Sequence, residues 1–143
     1  MDKSINNEIA GYFDIELKPL ETYSPLTLAF LGDGVFEMVI RSIYVNKGNK
    51  SVNKLNKDTS DIAKAVTQSK MIEGLETFLT KEEEAVYKRG RNAKSATSAK
   101  NAPIGDYRKA TGLEALMGYL YLKGDNKRIL ELIKKGLEII DKA

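Results

Sequence analysis

The sequence predicts an all-α protein, on three observations. Apolar residues recur at helical spacing in most segments. No segment sustains the period-two alternation of a half-buried strand. Glycines, prolines and capping side chains fall where helices start and stop. At 143 residues the chain is one domain by length, large enough to bury a core.

The elements follow in order. Residues 1–23 read as an irregular N-terminal segment, with Pro19 disfavouring helix through Lys18. Ser24-Pro25 is a helix start, serine as cap and proline at the first helical position, for a helix over Pro25 to Asn46 that stops at Gly48. A second helix is expected over Val52 to Gln68, with Val52, Leu55, Ile62, Ala63 and Val66 on its apolar face, and a short one over Lys70 to Phe78. Thr80-Lys81-Glu82-Glu83 is a capping box that opens a helix toward Gly90. Residues 92–104 are small, polar and basic, and read as a long exposed loop. A helix over Asp106 to Lys123 stops at Gly124. Asp125 then caps a final amphipathic helix over Asn126 to Asp141, with Ile129, Leu130, Leu132, Ile133, Leu137 and Ile140 inward.

Composition excludes several kinds of chemistry. Hydrophobic residues make up 42% and charged residues 30%, ordinary for a globular protein. No apolar run approaches the ~20 residues of a membrane span, and the polar, acidic N-terminus does not resemble a secretory signal. The absence of cysteine makes a cytoplasmic setting the default. With neither cysteine nor histidine, thiol catalysis, imidazole acid–base chemistry and the usual zinc sites are ruled out. Carboxylates, lysines, hydroxyls or an oxygen-held Mg²⁺ or Mn²⁺ remain.

Charge is unevenly spread. Lys88, Arg89, Arg91, Lys94, Lys100, Arg108 and Lys109 face one acid, Asp106, so this stretch carries +6 of a chain whose net charge is +3. The rest therefore sums to −3. Such a concentration is the footprint of a phosphate-binding surface, or simply a solvated loop; charge alone leaves both readings open.

Two segments place acids among apolar neighbours. LTLAFLGDGVFEMVIRSIYV, Leu26 to Val45, is apolar nearly all round and is expected to be mostly buried. Its ionisable groups Asp33, Glu37 and Arg41 lie four apart on one face, and Asp33 is flanked by Gly32 and Gly34. Those glycines suit the close approach of another backbone or a ligand. In TGLEALMGYLYLKG, Glu114 is the only charge between Lys109 and Lys123, beside the small residues Gly112, Ala115 and Gly118. Two such helices crossing would bring Asp33 and Glu114 together, where their repulsion calls for a proton or a cation between them. Mg²⁺ would fill that need and supply a Lewis acid for phosphodiester hydrolysis. Spacing leaves plainer readings standing: a Glu37–Arg41 intrahelical ion pair, Asp33 as a satisfied core acid, or Glu114 paired with Arg108.

The string LAFLGDGVFE, Leu28 to Glu37, resembles the signature helix of the ribonuclease III family, and GLEALMGYLYL, Gly112 to Leu122, resembles its second active-site helix. EEEAVYKRGRNAKS, Glu82 to Ser95, and YRKATGLEAL, Tyr107 to Leu116, are similar to the Mini-ribonuclease III branch, and the stretches keep the family's order from Ser24 onward. This resemblance implies a homodimeric, all-helical endonuclease domain. It also implies Mg²⁺-dependent hydrolysis of double-stranded RNA to 5′-phosphate and 3′-hydroxyl ends; Mn²⁺ as a substitute follows from the oxygen-only donors, not from the resemblance. By position Asp33 and Glu114 match the two motif acids, as catalytic residues and metal ligands.

Larger members carry further acids where this chain has Leu26, Ala29 and Thr111. The metal site is therefore leaner, with water or Thr111 filling the vacant coordination and Glu37 in a supporting role. By its length the chain is expected to lack the separate double-stranded-RNA-binding domain of larger members. RNA grip then falls to the catalytic domain, through Arg89, Arg91, Lys94, Lys100 and Arg108 on and beside the 92–104 loop. The resemblance further implies 23S ribosomal RNA precursor maturation, with a large-subunit ribosomal protein as helper. A non-catalytic, ribosome-associated RNA binder of the same fold and a helical DNA-binding or adaptor module are the competing readings.

Overall fold

The computed structural model describes residues 4–94 and 103–142, and these form seven α-helices with no strand among them. They are α1 (Ile5–Tyr12), α2 (Pro25–Lys47), α3 (Val52–Ala63), α4 (Ala65–Leu75), α5 (Lys81–Asn92), α6 (Ile104–Lys123) and α7 (Asn126–Ile139). The all-α expectation therefore holds.

Local chemistry explains most boundaries. The Ser24 hydroxyl accepts from the Thr27 N–H at 3.2 Å, with Pro25 at the first helical position, where its missing N–H matters least. Thr80 and Glu83 cap α5 reciprocally. The Asp125 carboxylate accepts from the Arg128 N–H to start α7. Gly124, at φ 82°, closes α6 in the left-handed conformation that glycine adopts freely, and its N–H reaches the carbonyls of Leu120 and Tyr121. α6 starts at Ile104, two residues earlier than expected, directly after Pro103.

Four expectations are corrected. The N-terminal segment is not wholly irregular: Ser4 caps a helix over Ile5–Tyr12, and the chain turns at Asp14 (φ 52°). Pro19 restrains only its immediate neighbour and so leaves this earlier turn intact. Next, the helix expected over 52–68 breaks at Lys64, whose ψ of 146° is extended. There the Thr67 hydroxyl donates to the Asp61 carbonyl and the Gln68 amide to that of Ala63, so side chains take up groups the break sets free. α4 then runs to Leu75, and residues 76–78 form a 3₁₀ turn rather than the end of a separate helix. Third, Val52, Val66 and Leu130 are exposed instead of inward, Val52 at 71%. Leu130 rims a shallow apolar groove with Val39 and Tyr121. Lastly, α2 is only half enclosed. Leu28, Phe36 and Ile40 are buried, while Phe30 is 84% exposed and Met38 and Val45 more than half.

α6 is the central element, with α2, α4, α5 and α7 packed about it. Leu113, Leu116, Met117 and Leu120 are essentially inaccessible, as are Phe36, Ile72 and Leu132 from the surrounding helices. Small residues set how closely the helices approach. A Cβ added at Gly32 would overlap the Glu114 carbonyl, and one at Gly118 would overlap the Leu28 carbonyl. α2 and α6 therefore cross backbone against backbone. On the other side, Gly90 of α5 sits against Ala115 and Gly112 of α6.

Candidate active site

The α2–α6 crossing brings Asp33 and Glu114 together. Gly32 rests on the backbone of Glu114, so the next residue of α2, Asp33, falls beside that side chain. Asp33 is exposed and Glu114 half-buried. Burial pushes the Glu114 carboxyl up to about 8 from its ordinary 4.5. The charge of Asp33 and a hydrogen bond between the two carboxyls push the same way, the Gln68 amide opposes them, and the charge of Glu37 adds a smaller upward push. Near neutral pH the pair therefore holds a proton between two acids. A divalent cation would meet the same need, and the donors are all hard oxygens of the kind Mg²⁺ and Mn²⁺ take.

Among the described residues no cluster of three or more His, Cys, Asp or Glu could hold a metal. A metal here would rest on two carboxylates and otherwise on water, as Mg²⁺ commonly does.

The other expected residues divide. Glu37 does pair with Arg41, at 3.3 Å and near the surface, so the ion-pair reading is observed even as Glu37 adds to the field at Glu114. Thr111 is buried, and its hydroxyl donates to the Tyr107 carbonyl at 2.9 Å, leaving only acceptor capacity. Arg108 is exposed and does not pair with Glu114; Asp33 and Gln68 do. Asp33, at the surface, is no core acid.

The basic residues sit beside this site's helices. Arg89 on α5, Lys94 just beyond it and Arg108 at the start of α6 are exposed and make no ion pair among the described residues. Lys88 and Lys109 are partly neutralised by Glu84 and Glu73. The Arg91 guanidinium lies over the Tyr87 ring, 5.6 Å from its centroid. Lys100 and most of the 92–104 segment lie outside the described residues.

Gln68 was missed by sequence reasoning. It is 1% exposed and contacts Glu114. The signal was present: Gln68, Met71, Ile72 and Leu75 share one face of α4, which sets a polar residue at a core position.

The site is thus built on an all-helical domain in which α2 and α6 cross at glycines and one carboxylate from each meets the other at the crossing. The profile of the ribonuclease III domain matches residues 26–125, and the chain belongs to the ribonuclease III family. Within that family, the chain is 45% identical over 125 residues to Mini-ribonuclease 3 of Clostridium tetani, spanning 87% of this chain and 83% of that relative. It is 40% identical to Mini-ribonuclease 3 of a Thermoanaerobacter species across 99% of both chains. A crystal structure of a Fusobacterium nucleatum protein superposes with a TM-score of 0.75 at 32% identity, covering 81% of this chain and 89% of that one. The class of activity is that of a ribonuclease.

Proposed function

We propose that this protein is a Mg²⁺-dependent endoribonuclease that cuts double-stranded RNA as a homodimer, leaving 5′-phosphate and 3′-hydroxyl ends, with Mn²⁺ able to substitute. The observation that carries the reading is the meeting of Asp33 and Glu114, with the Glu114 carboxyl raised to about 8. Two acids held this close, on helices locked by glycine contacts, repel one another unless a proton or a cation lies between them, and a divalent cation lets both stay ionised.

Asp33 and Glu114 would hold the metal. A bound Mg²⁺ supplies a Lewis acid that polarises the scissile phosphate and stabilises the charge developing in hydrolysis. Asp33, being exposed, is the acid an incoming phosphate meets first, while half-buried Glu114 is fixed by its surroundings. Glu37 adds negative potential from one turn along α2, and the Thr111 hydroxyl, its proton engaged by the Tyr107 carbonyl, is left with oxygen lone pairs only. Arg89, Arg91, Lys94, Lys100 and Arg108 contact the RNA backbone. The proposed setting is the cytoplasm, and the proposed substrate is the 23S ribosomal RNA precursor, with a large-subunit ribosomal protein as helper. Among the described residues no helix is long and apolar enough to cross a membrane.

The test is cleavage of a long RNA duplex in Mg²⁺ by the wild type, Asp33→Asn and Glu114→Gln. Cutting by the wild type alone, with RNA binding kept in both variants, is the expected result. A wild type that binds duplex RNA and never cuts in Mg²⁺ or Mn²⁺ would make the protein a binding member of its fold.

A further inference from the structure

Gln68, on α4, is buried between the end of α3 and Glu114 of α6. Its Nε2 donates to the Ala63 carbonyl at 3.0 Å and makes a long contact of 3.5 Å with Glu114 Oε2. The Ala63 oxygen can only accept, which fixes the amide's orientation: nitrogen toward Ala63 and Glu114, oxygen away from that carbonyl. Gln68 Oε1, enclosed, finds no hydrogen-bond partner among the described residues.

Holding the Ala63 carbonyl explains one of the two amide contacts and leaves the one to Glu114 unexplained. The Gln68 side chain shares its helix face with Met71, Ile72 and Leu75, and an unpaired buried amide oxygen works against stability. A methionine of similar length would fill the same space without that penalty, at the cost of leaving the Ala63 carbonyl without its side-chain donor. The break at Lys64 is also accounted for, because it presents the Ala63 carbonyl to the amide rather than to a continuing helix.

We infer that Gln68 is a positioning residue for the metal site: one N–H anchors it to the end of α3, and the other fixes Glu114 Oε2, so that the remaining carboxylate oxygen is presented together with Asp33. The amide does this without adding charge, whereas an acid here would place a third negative group at the pair. This inference rests on the metal-dependent reading above and extends it by a residue outside both motif helices. Contacts of this kind that orient a ligating side chain commonly alter metal affinity ten- to a hundredfold when removed.

The test is Mn²⁺ binding to the RNA-free protein by calorimetry, for the wild type, Gln68→Met and Gln68→Asn. It is run beside the Mg²⁺ dependence of duplex cleavage and RNA binding without metal. The expected outcome is Mn²⁺ affinity about tenfold weaker in Gln68→Met, with a matching rise in the Mg²⁺ needed for half-maximal cleavage. Circular dichroism and metal-free RNA binding stay unchanged. Gln68→Asn keeps the amide but is one methylene too short to span Ala63 and Glu114, and is expected to weaken Mn²⁺ as well. It decides the question if the methionine variant does not fold. Mn²⁺ affinity and Mg²⁺ requirement within twofold of wild type would overturn the positioning role while leaving the metal site intact. A wild type that takes up no Mn²⁺ and does not cut would instead overturn the metal-dependent reading itself.

Discussion

The proton held by Glu114 has a thermodynamic consequence. Its carboxyl titrates near 8 in the folded chain and near 4.5 when exposed, with burial the largest cause and Asp33 the next. Between those values the folded protein binds a proton the unfolded chain does not. The metal-free protein is therefore most stable at or below about pH 4.5 as far as this group is concerned, and loses that contribution as pH rises through about 8. Thermal unfolding without divalent metal should show a falling Tm between pH 5 and 8, and Glu114→Gln should flatten it; parallel profiles for the two proteins would show that the group is not responsible. A second pair acts in the opposite sense. Glu83 is 5% exposed, and burial alone would raise its carboxyl, yet two 2.8 Å bonds from Arg128 and the Thr80 N–H hold it below the usual range. Arg128 also donates to the Phe78 carbonyl, tying α5, α7 and the turn before α5 together. Arg128→Ala strands a buried carboxylate and should lower stability by about 3 kcal/mol in urea unfolding. A loss below about 0.5 kcal/mol, the level of an exposed pair, would show that solvent reaches Glu83.

At the scale of elements, the α2–α6 crossing depends on two hydrogen atoms. A methyl group at Gly118 has no room beside the Leu28 carbonyl, because backbone cannot rotate aside as a flexible side chain can. Gly118→Ala should destabilise by on the order of 3 kcal/mol and separate Asp33 from Glu114, removing cleavage along with stability. Gly105→Ala, in the first turn of the same α6 and with nothing within 4 Å of the added carbon, should leave the Tm unchanged or slightly raised. Equal effects of the two substitutions would mean that helix propensity, not close approach, sets the cost. This crossing was legible in the sequence, since glycine beside an isolated acid in two apolar stretches is costly unless backbones meet. The capping signals at Ser24, Thr80, Gly124 and Asp125 were legible for the same local reason. The break at Lys64 was not, because its causes are bonds from Thr67 and Gln68 back to Asp61 and Ala63, which leave no periodic trace. Nor was the exposure of Val52, Val66 and Leu130: an apolar stripe says that a face is wanted, not that the same molecule supplies its cover.

Across the whole molecule, the distribution of exposed groups bears on how the protein would meet RNA. Arg89, Lys94 and Arg108 are free of ion pairs among the described residues and border the α5–α6 side. If they contact phosphates, replacing all three by alanine should lower duplex affinity and reduce the slope of log affinity against log salt by about 3 per engaged protomer. An unchanged slope would place the RNA elsewhere. The remaining face of α2 carries Phe30 at 84% exposure, with Met38, Val45 and Leu26 also uncovered. Phe30 is three residues before Asp33, so whatever covers this strip stands next to the acid pair. Exposed apolar side chains gathered on one helix beside the acid pair suit a contact surface. A second copy of this chain is the proposed cover, its two-fold symmetry setting the same strip against itself and holding two acid pairs on one duplex. The wild type should therefore sediment as a dimer at micromolar concentration, and Phe30→Asp as a folded monomer, because a charge cannot be desolvated unpaired at the centre of such a contact. Since Phe30 points away from its own core, the variant should keep the wild-type circular dichroism spectrum. Its cleavage should fall in step with the monomer fraction and recover as protein concentration is raised. A wild type that sediments as a monomer, or a Phe30→Asp variant that remains dimeric and fully active, would assign the exposed strip to something other than a second copy.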